Sequence, residues 1–139
     1  HRLMNMNIEP FLIADSLALV VAQRLVRRVC KKCAAPTKLP VKSLVEMGFT
    51  SEEAEKAAVM QGRGCDICHN SGYKGRTALF EVMELNPTLR EMILLRAQSK
   101  EIKQKAVEAG MITMRRSGLI KIMAGITTPE EVLRETVRD

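Results

Sequence analysis

The four cysteines constrain this chain more than any other feature of its sequence. They form two pairs with CxxC spacing, Cys30 with Cys33 and Cys65 with Cys68. A CxxC pair lets two thiolates reach one metal ion from a single tight turn, and two such pairs complete the tetrahedral all-thiolate shell of structural zinc. The sequence therefore predicts a Zn²⁺ site with these four cysteines as ligands and no open position for a substrate.

Other uses of the cysteines compete with zinc. Two disulfides would require an oxidising compartment, and the sequence shows no secretory signal. The stretch from Cys65 to His69 matches the CxxCH pattern of c-type haem attachment, but haem would leave Cys30 and Cys33 without a role. Four cysteines would equally serve an iron–sulfur cluster. Unmetallated thiols, or His69 in place of one cysteine ligand, also stay open.

The composition favours packed helices over a β-sandwich. The chain has 46% apolar residues but only one tyrosine, three phenylalanines and no tryptophan, while nine residues are methionine. Strands prefer aromatic and β-branched side chains, so an aliphatic, methionine-rich core is more typical of helices. The net charge of +6 admits an acidic partner, a nucleic acid or an anionic membrane surface, and does not choose among them.

The segment before the first cysteine pair has a helical pattern. Apolar side chains recur at helical spacing from Phe11 to Leu25, and Arg27 and Arg28 follow where cations favour a helix C-terminus. We therefore predict one helix over residues 11–28 that delivers Cys30. Polar residues interrupt this stretch, and it is shorter than the ~20 residues of a membrane span, so no transmembrane helix is predicted.

Two short helices are predicted between the cysteine pairs. The first covers Val41–Met47 and is closed by Gly48, and the second runs to about Met60. Thr50 and Glu53 have the spacing of a capping box, which favours a helix start at that point. The segment between the pairs is thus expected to be a helical hairpin whose ends are tied together by the metal.

The last part of the chain begins with a predicted strand and continues as helices. Residues Thr77–Leu85 alternate, with Leu79, Glu81 and Met83 on one face. Thr128 and Glu131 have the pattern of a helix N-cap with a capping box. Helices are predicted over residues 86–97, 99–110, 111–124 and 128–137. The sequence contains no P-loop, no HExxH motif and no Ser/His/Asp constellation, so no catalytic residue is assigned.

Five segments carry a resemblance that covers essentially the whole chain. They are Glu9–Ala14, Ala22–Cys30, Gly64–Cys68, Gly72–Arg76 and Phe80–Val82. In this order they resemble the C-terminal part of the secretion ATPases, the hexameric motors of type II secretion and type IV pilus assembly in bacteria. The tetracysteine segment is similar to that of the pilus-extension and type II secretion members.

The resemblance implies a mainly α fold with a small β element, in which a helical tetracysteine zinc-binding domain follows the last elements of a RecA-like α/β ATPase domain. Residues 1–28 would form the C-terminal end of the ATPase domain, residues 29–75 the zinc-binding helical insert, and residues 76–139 a C-terminal strand and helical subdomain. ATP and Mg²⁺ would bind only in the full-length parent, because the family's nucleotide motifs lie upstream. The chain is not expected to be active alone.

The resemblance also implies partners and a location. The parent would be a cytoplasmic homohexamer, peripheral to the inner membrane through its partners, which are an inner-membrane platform protein and other components of the machinery. No nucleic acid is expected. Gln23 and Arg24 match a stretch near the ATPase core and either contact nucleotide or form a polar face at a domain junction. Seven basic residues either form a solvated face or face acidic cytoplasmic loops or anionic lipid: Arg24, Arg27, Arg28, Lys31, Lys32, Lys38 and Lys42.

A zinc-ribbon-like nucleic-acid-binding module is the alternative function. The net positive charge and the four thiols favour it. The scarcity of aromatic side chains for base stacking disfavours it.

Overall fold

A computed structural model of the chain describes residues 2–137. The helices and strands in chain order are α1 (Arg2–Asn5), α2 (Pro10–Ser16), β1 (Leu19–Val29), β2 (Ala34–Pro36), α3 (Val41–Met47), α4 (Ser51–Lys56), β3 (Met60–Gly62), β4 (Tyr73–Glu84), α5 (Pro87–Leu94), α6 (Ser99–Glu108), α7 (Met114–Met123) and α8 (Pro129–Glu135). A single 3-10 turn covers Asp66–Cys68. Helices with small β elements agree with the predicted fold class at this coarse level. Within the described residues, every helix is too short or too polar to cross a bilayer.

The chain forms two compact units, each made from two stretches of sequence. The first unit comprises His1–Ala22 and Glu81–Thr113, and the second comprises Gln23–Phe80 and Met114–Asp139. Strands β1 and β4 contribute residues to both units. The division at residues 28 and 75 refers to the domains of a longer parent and stays a prediction.

The prediction of one helix over residues 11–28 is wrong. Helix α2 ends at Ser16, and residues Leu19–Val29 form strand β1. The valines in this stretch are stiff at χ1 and favour extended backbone. Helical spacing also fails to describe which side chains are buried, because Val20, Val21 and Leu25, which would lie on the apolar face of the helix, are 42%, 49% and 51% exposed. Cys30 therefore follows a strand and not a helix.

Strand β1 pairs with β4. The N–H of Leu85 donates to the carbonyl of Ala18 at 2.9 Å, and the N–H of Cys30 donates to the carbonyl of Gly72 at 2.9 Å. Because residue numbers rise along one strand as they fall along the other, the pairing is antiparallel. The last residue pair of this ladder includes a cysteine of the candidate site.

The predicted strand over Thr77–Leu85 is confirmed and begins earlier, since β4 covers Tyr73–Glu84. Leu79 is fully buried, while Phe80 and Val82, on the opposite face, are exposed. The two faces separated by the alternation in the sequence therefore differ in burial, and the face with Leu79 is the more buried one.

In the first unit, α2 packs on α5 and α5 on α6. One buried hydrophobic cluster of this unit contains Ile13, Ala14, Leu85 and Ile93. Helix α5 begins at Pro87 because the side chain of Asn86 accepts a hydrogen bond from the N–H of Leu89 at 2.9 Å. The helices predicted over residues 86–97 and 99–110 are thus confirmed, each a few residues shorter than expected.

In the second unit, α3 and α4 pack together as the predicted helical hairpin. The capping box is present, because the hydroxyl of Thr50 accepts from the N–H of Glu53 and the carboxylate of Glu53 accepts from the N–H of Thr50. Helix α4 ends at Lys56 and does not reach Met60, since Met60–Gly62 pairs as a strand with Ala34–Pro36. The sequence analysis missed this small antiparallel sheet.

Helices α7 and α8 complete the second unit by packing against the hairpin. The α7 helix begins at Met114, three residues later than predicted. The hydrophobic core contains Leu44, Phe49, Ala54, Val59, Leu119, Ile122 and Val132. One core thus joins the hairpin between the cysteine pairs to the two last helices of the chain.

Candidate metal centre

Two short pieces of backbone pairing bring the cysteine pairs together. Cys30 ends the β1–β4 ladder, and its N–H bonds to Gly72, four residues after Cys68. On the other side, Ala34 of β2 lies opposite Gly62 of β3, so that the residue after Cys33 is held near the residues before Cys65. Cys30 and Cys33 thus lie between the end of the β1–β4 ladder and the start of the β2–β3 ladder. Cys65 and Cys68 lie between β3 and β4, where the chain returns from the second ladder to the first.

The first pair forms a tight turn in which the N–H of Cys33 donates to the carbonyl of Cys30 at 3.2 Å. The carbonyl of Cys33 in turn accepts from the N–H of Arg63 at 3.0 Å, which links this turn to the approach of the second pair. Cys30 is buried and Cys33 is half-buried. The turn therefore points both thiols to the same side.

The second pair surrounds the 3-10 turn. The N–H of Cys68 donates to the carbonyl of Cys65 at 3.1 Å, and the N–H of Cys65 points at the sulfur of Cys68 at 3.2 Å. His69 and Asn70 follow in the left-handed region, with φ of 49° and 59°, and reverse the chain toward β4. The hydroxyl of Ser71 donates to the carbonyl of Cys68 at 2.6 Å and fixes this reversal.

The close approach of Gly62, the last residue of β3, to Gly72, which precedes β4, depends on glycine at both positions. A Cβ atom on Gly62 would overlap the backbone carbonyl of Gly72. Gly72 also has a φ of 76°, which favours glycine. Any larger residue at position 62 would push apart the two segments that flank Cys65 and Cys68.

The four sulfur atoms lie close enough together to surround a single metal ion. All four Sγ atoms lie within 4.8 Å of one another. Three separations are 3.9 Å for Cys30 and Cys65, 3.8 Å for Cys33 and Cys68, and 3.6 Å for Cys65 and Cys68. A tetrahedron with metal–sulfur bonds of about 2.3 Å has sulfur–sulfur edges of about 3.8 Å. The arrangement therefore fits one central ion.

This geometry bears on the alternatives left open by the sequence. All four cysteines are free, so the structure contains no disulfide. In an iron–sulfur cluster the four cysteines are distributed over at least two iron atoms, so cysteines on different irons are farther apart than the edges of one tetrahedron. Covalent attachment of haem to Cys65 and Cys68 would remove these two sulfur atoms from the group of four. His69 is exposed and does not belong to the group of candidate ligands.

Two of the thiols have pKa values shifted in opposite directions. Burial raises the pKa of Cys33 to about 11, helped by hydrogen bonds with the other thiols. Burial would also raise the pKa of Cys68, but hydrogen bonds from the N–H groups of Cys65 and Gly72 outweigh it and lower that pKa to about 6. A bound divalent ion favours the thiolate form of all its cysteine ligands.

A polar network centred on the buried Glu131 involves Arg27 of β1, the strand that leads to Cys30. The carboxylate of Glu131 is fully buried and accepts three hydrogen bonds from Arg27, from the backbone N–H at 2.8 Å, from Nε at 3.0 Å and from Nη2 at 2.7 Å. Arg134 adds a further contact at 2.9 Å. The guanidinium of Arg27 also lies 4.1 Å from the ring centre of Tyr73, whose hydroxyl bonds Thr128 at 2.9 Å.

This network corrects two predictions. Arg27 lies in β1 and does not terminate a helix, so its charge offsets Glu131 and not a helix dipole. Thr128 is the N-cap of α8, as predicted, with its hydroxyl accepting from the N–H of Glu131 at 3.4 Å. Glu131 does not complete a capping box, because its carboxylate is engaged by Arg27. The capping pattern located Glu131, but nothing local in the sequence indicates a partner 104 positions away.

The remaining predicted site residues stay outside these clusters. Gln23 and Arg24 are exposed on β1, and neither side chain makes a hydrogen bond or an ion pair with the described residues. The site described by residues 2–137 is therefore a group of four clustered cysteines that could hold one metal ion. Such a site can hold a metal and stabilise a fold, and it offers no position for catalysis.

Comparison with known proteins places this site in a family. The fold and the cysteine cluster are those of a small module that could hold a structural metal ion, and a family model described as "Type II/IV secretion system protein" matches residues 1–134. The chain belongs to this family of type II and type IV secretion system proteins.

Its relatives include proteins from both systems. The type IV pilus assembly ATPase PilB of Myxococcus xanthus (strain DK1622) is 41% identical over 99% of this chain and 25% of its own length. PilB of Acinetobacter baylyi is 42% identical over 97% of the chain and 24% of its own length. The type II secretion system protein E of Aeromonas hydrophila is 37% identical over 99% of the chain and 27% of its own length. The chain thus spans about a quarter of the length of these relatives.

Proposed function

We propose that this chain is the zinc-binding C-terminal region of a hexameric secretion-type ATPase that powers pilus assembly or type II secretion. The cluster of four sulfur atoms is the observation that carries the proposal, because three of its sulfur–sulfur separations match the edges of a tetrahedron around one zinc ion bound by four thiolates. The names of the relatives support the choice of machine. The ligands would be Cys30, Cys33, Cys65 and Cys68.

The proposed division of the parent follows the sequence. Residues 1–28 would end a RecA-like ATPase domain, residues 29–75 would form the zinc-binding insert, and residues 76–139 would form a C-terminal subdomain. Nucleotide and Mg²⁺ would bind upstream in the parent. The parent would act in the cytoplasm, with its membrane association mediated by partners.

The role of the site follows from where its ligands lie. The cysteines end β1 and precede β4, and they also tie both ends of the α3–α4 hairpin. Joined through one ion, the thiolates would hold the hairpin at a fixed angle to these strands. Nucleotide-driven motion of the ATPase domain could then reach an inner-membrane platform protein without being absorbed by a flexible joint. The transmission of this motion to the platform protein is a separate step of the proposal, beyond the metal site itself.

Metal content tests the site. The purified chain should contain one zinc per molecule by elemental analysis and show no visible absorption. Cys65→Ser/Cys68→Ser should lose the metal, whereas His69→Ala, which alters a neighbouring residue outside the cluster, should keep it. Iron with visible absorption, or a chain free of metal with four reactive thiols, would overturn the zinc assignment.

The same two variants test the coupling in the full-length ATPase. Cys65→Ser/Cys68→Ser should assemble as a hexamer and hydrolyse ATP, but fail to support pilus assembly or secretion. His69→Ala should behave as the wild type. Normal pilus assembly or secretion by the double variant, with its metal gone, would refute the coupling role.

A further inference from the structure

A basic pocket lies beside the first cysteine pair. Its volume is about 340 Å³, and four cations line it together with the half-exposed side chain of Ile67. The cations are Arg28, Lys31, Lys32 and Lys74. No acidic residue is part of its lining. The pocket brings together residues from the end of β1, the first cysteine turn and the start of β4.

The pocket cations have no carboxylate partner within residues 2–137. Some cations of the same unit are paired, as Arg27 is with Glu131 and Arg116 is with Glu53, and others, such as Lys38 and Lys42, have no such partner among the described residues. What distinguishes the pocket cations is that four of them gather around one concavity. Four like charges around one concavity repel one another, and an anion placed among them would relieve that repulsion. Their clustering therefore indicates a ligand of negative charge.

Offsetting the charge of the metal site does not account for these cations. A divalent ion bound by four thiolates carries a net charge of −2, and Cys30 forms part of the pocket wall. The four cations exceed this charge, so the pocket stays positive when the metal is bound. An anion from outside the chain can therefore still bind there.

The chemistry of the pocket fits a phosphate group. The guanidinium of Arg28 can donate two parallel hydrogen bonds to phosphate oxygens, and lysines supply point charges around them. A volume of about 340 Å³ lies at the lower end of the range for small-molecule pockets. We propose that this pocket binds a phosphate group, carried by a soluble phosphate compound or by a phospholipid headgroup.

The test uses the metal-loaded chain and two triple variants of equal charge. The pocket variant is Lys31→Gln/Lys32→Gln/Lys74→Gln. The matched control is Lys38→Gln/Lys42→Gln/Lys100→Gln, which removes three exposed lysines that lie outside the pocket. Zinc content and thermal unfolding show that both variants are folded. The probes are pyrophosphate in calorimetry, vesicles of phosphatidylcholine with or without phosphatidylglycerol in sedimentation, and an oligo-glutamate peptide.

The pocket variant should bind phosphate at least about tenfold more weakly than wild type, and the control less than about twofold. Loss of pyrophosphate binding identifies a soluble phosphate ligand, and loss only of binding to phosphatidylglycerol vesicles identifies a headgroup. The proposal is overturned if no probe binds, if both variants weaken binding equally, or if oligo-glutamate binds as tightly as phosphate. None of these measurements involves ATP hydrolysis or assembly, so their outcome is independent of the function proposed above.

Discussion

Truncation of Glu131 should destabilise the second unit far more than truncation of an exposed glutamate. In Glu131→Ala the backbone N–H of Arg27 loses its acceptor, and the Arg27 guanidinium loses two charge-assisted hydrogen bonds. Removing one partner of a buried ion pair costs about 3 to 5 kcal/mol. Arg27 is 42% exposed and can be partly solvated, so we expect a loss of about 3 kcal/mol.

Tyr73 provides a local assay for this change. It is the only tyrosine in a chain without tryptophan, and Arg27 lies over its ring. Urea unfolding followed by tyrosine fluorescence at neutral pH therefore reports on the network itself. The expected loss corresponds to a fall of about 10 °C in the midpoint of thermal unfolding.

The matched control is Glu52→Ala, which removes a similar pair with Lys56 in which both side chains are more than 70% exposed. It should change the free energy of unfolding by less than about 0.5 kcal/mol. Glu131→Gln keeps the shape and part of the hydrogen bonding and should fall between the two. Equal, small effects of Glu131→Ala and Glu52→Ala would refute the stabilising role assigned to the network.

Three further predictions concern packing, pH and metal. Gly62→Ala should lower the free energy of unfolding by about 3 kcal/mol and weaken metal binding, because the new methyl group meets the carbonyl of Gly72. Its control, Gly75→Ala, has open space but a φ of 77°, so it should lower the free energy of unfolding by about 1 kcal/mol and keep the metal. Arg116 holds the pKa of Glu53 at about 2, below its ordinary 4.5. Glu53→Gln should therefore lower the free energy of unfolding by about 1 kcal/mol at neutral pH, and this difference from wild type should shrink only as the pH falls from about 4.5 toward 2. Removal of the metal by a chelator should make all four cysteine thiols reactive toward a thiol reagent and lower the unfolding midpoint.

Each of these has a result that contradicts it. A Gly62→Ala variant as stable as Gly75→Ala would show that the two segments can separate freely. A constant difference between Glu53→Gln and wild type across the acid range would show that the ion pair with Arg116 does not stabilise the folded state. Thiols that react at the same rate before and after chelation would show that no metal protects them.

The candidate site was predictable from sequence because its signals are local. Each CxxC pair needs only one tight turn, so the spacing alone selects the four residues that the structure brings within 4.8 Å. The helix caps at Thr50 and Asn86 were readable for the same reason, since a cap and its helix lie within a few residues.

The errors arose where a distant segment decides the local structure. Residues 19–29 have apolar side chains at helical spacing, yet they form a strand because β4 supplies hydrogen-bond partners more than forty positions away. Met60–Gly62 is a strand and not the end of the predicted helix for the same reason, because it pairs with Ala34–Pro36. Intrinsic preferences are small beside the free energy of such pairing and burial.

The sequence by itself thus determined the four candidate metal ligands, the family resemblance and most of the helices, because these depend on spacing within one turn or one element. Only the tertiary structure decided how the two cysteine pairs meet, that Glu131 forms an ion pair with Arg27, and that four cations gather around one pocket. Strand pairing, buried ion pairs and shared pockets join residues far apart in the chain, and a one-dimensional pattern carries no signal for the distance between them.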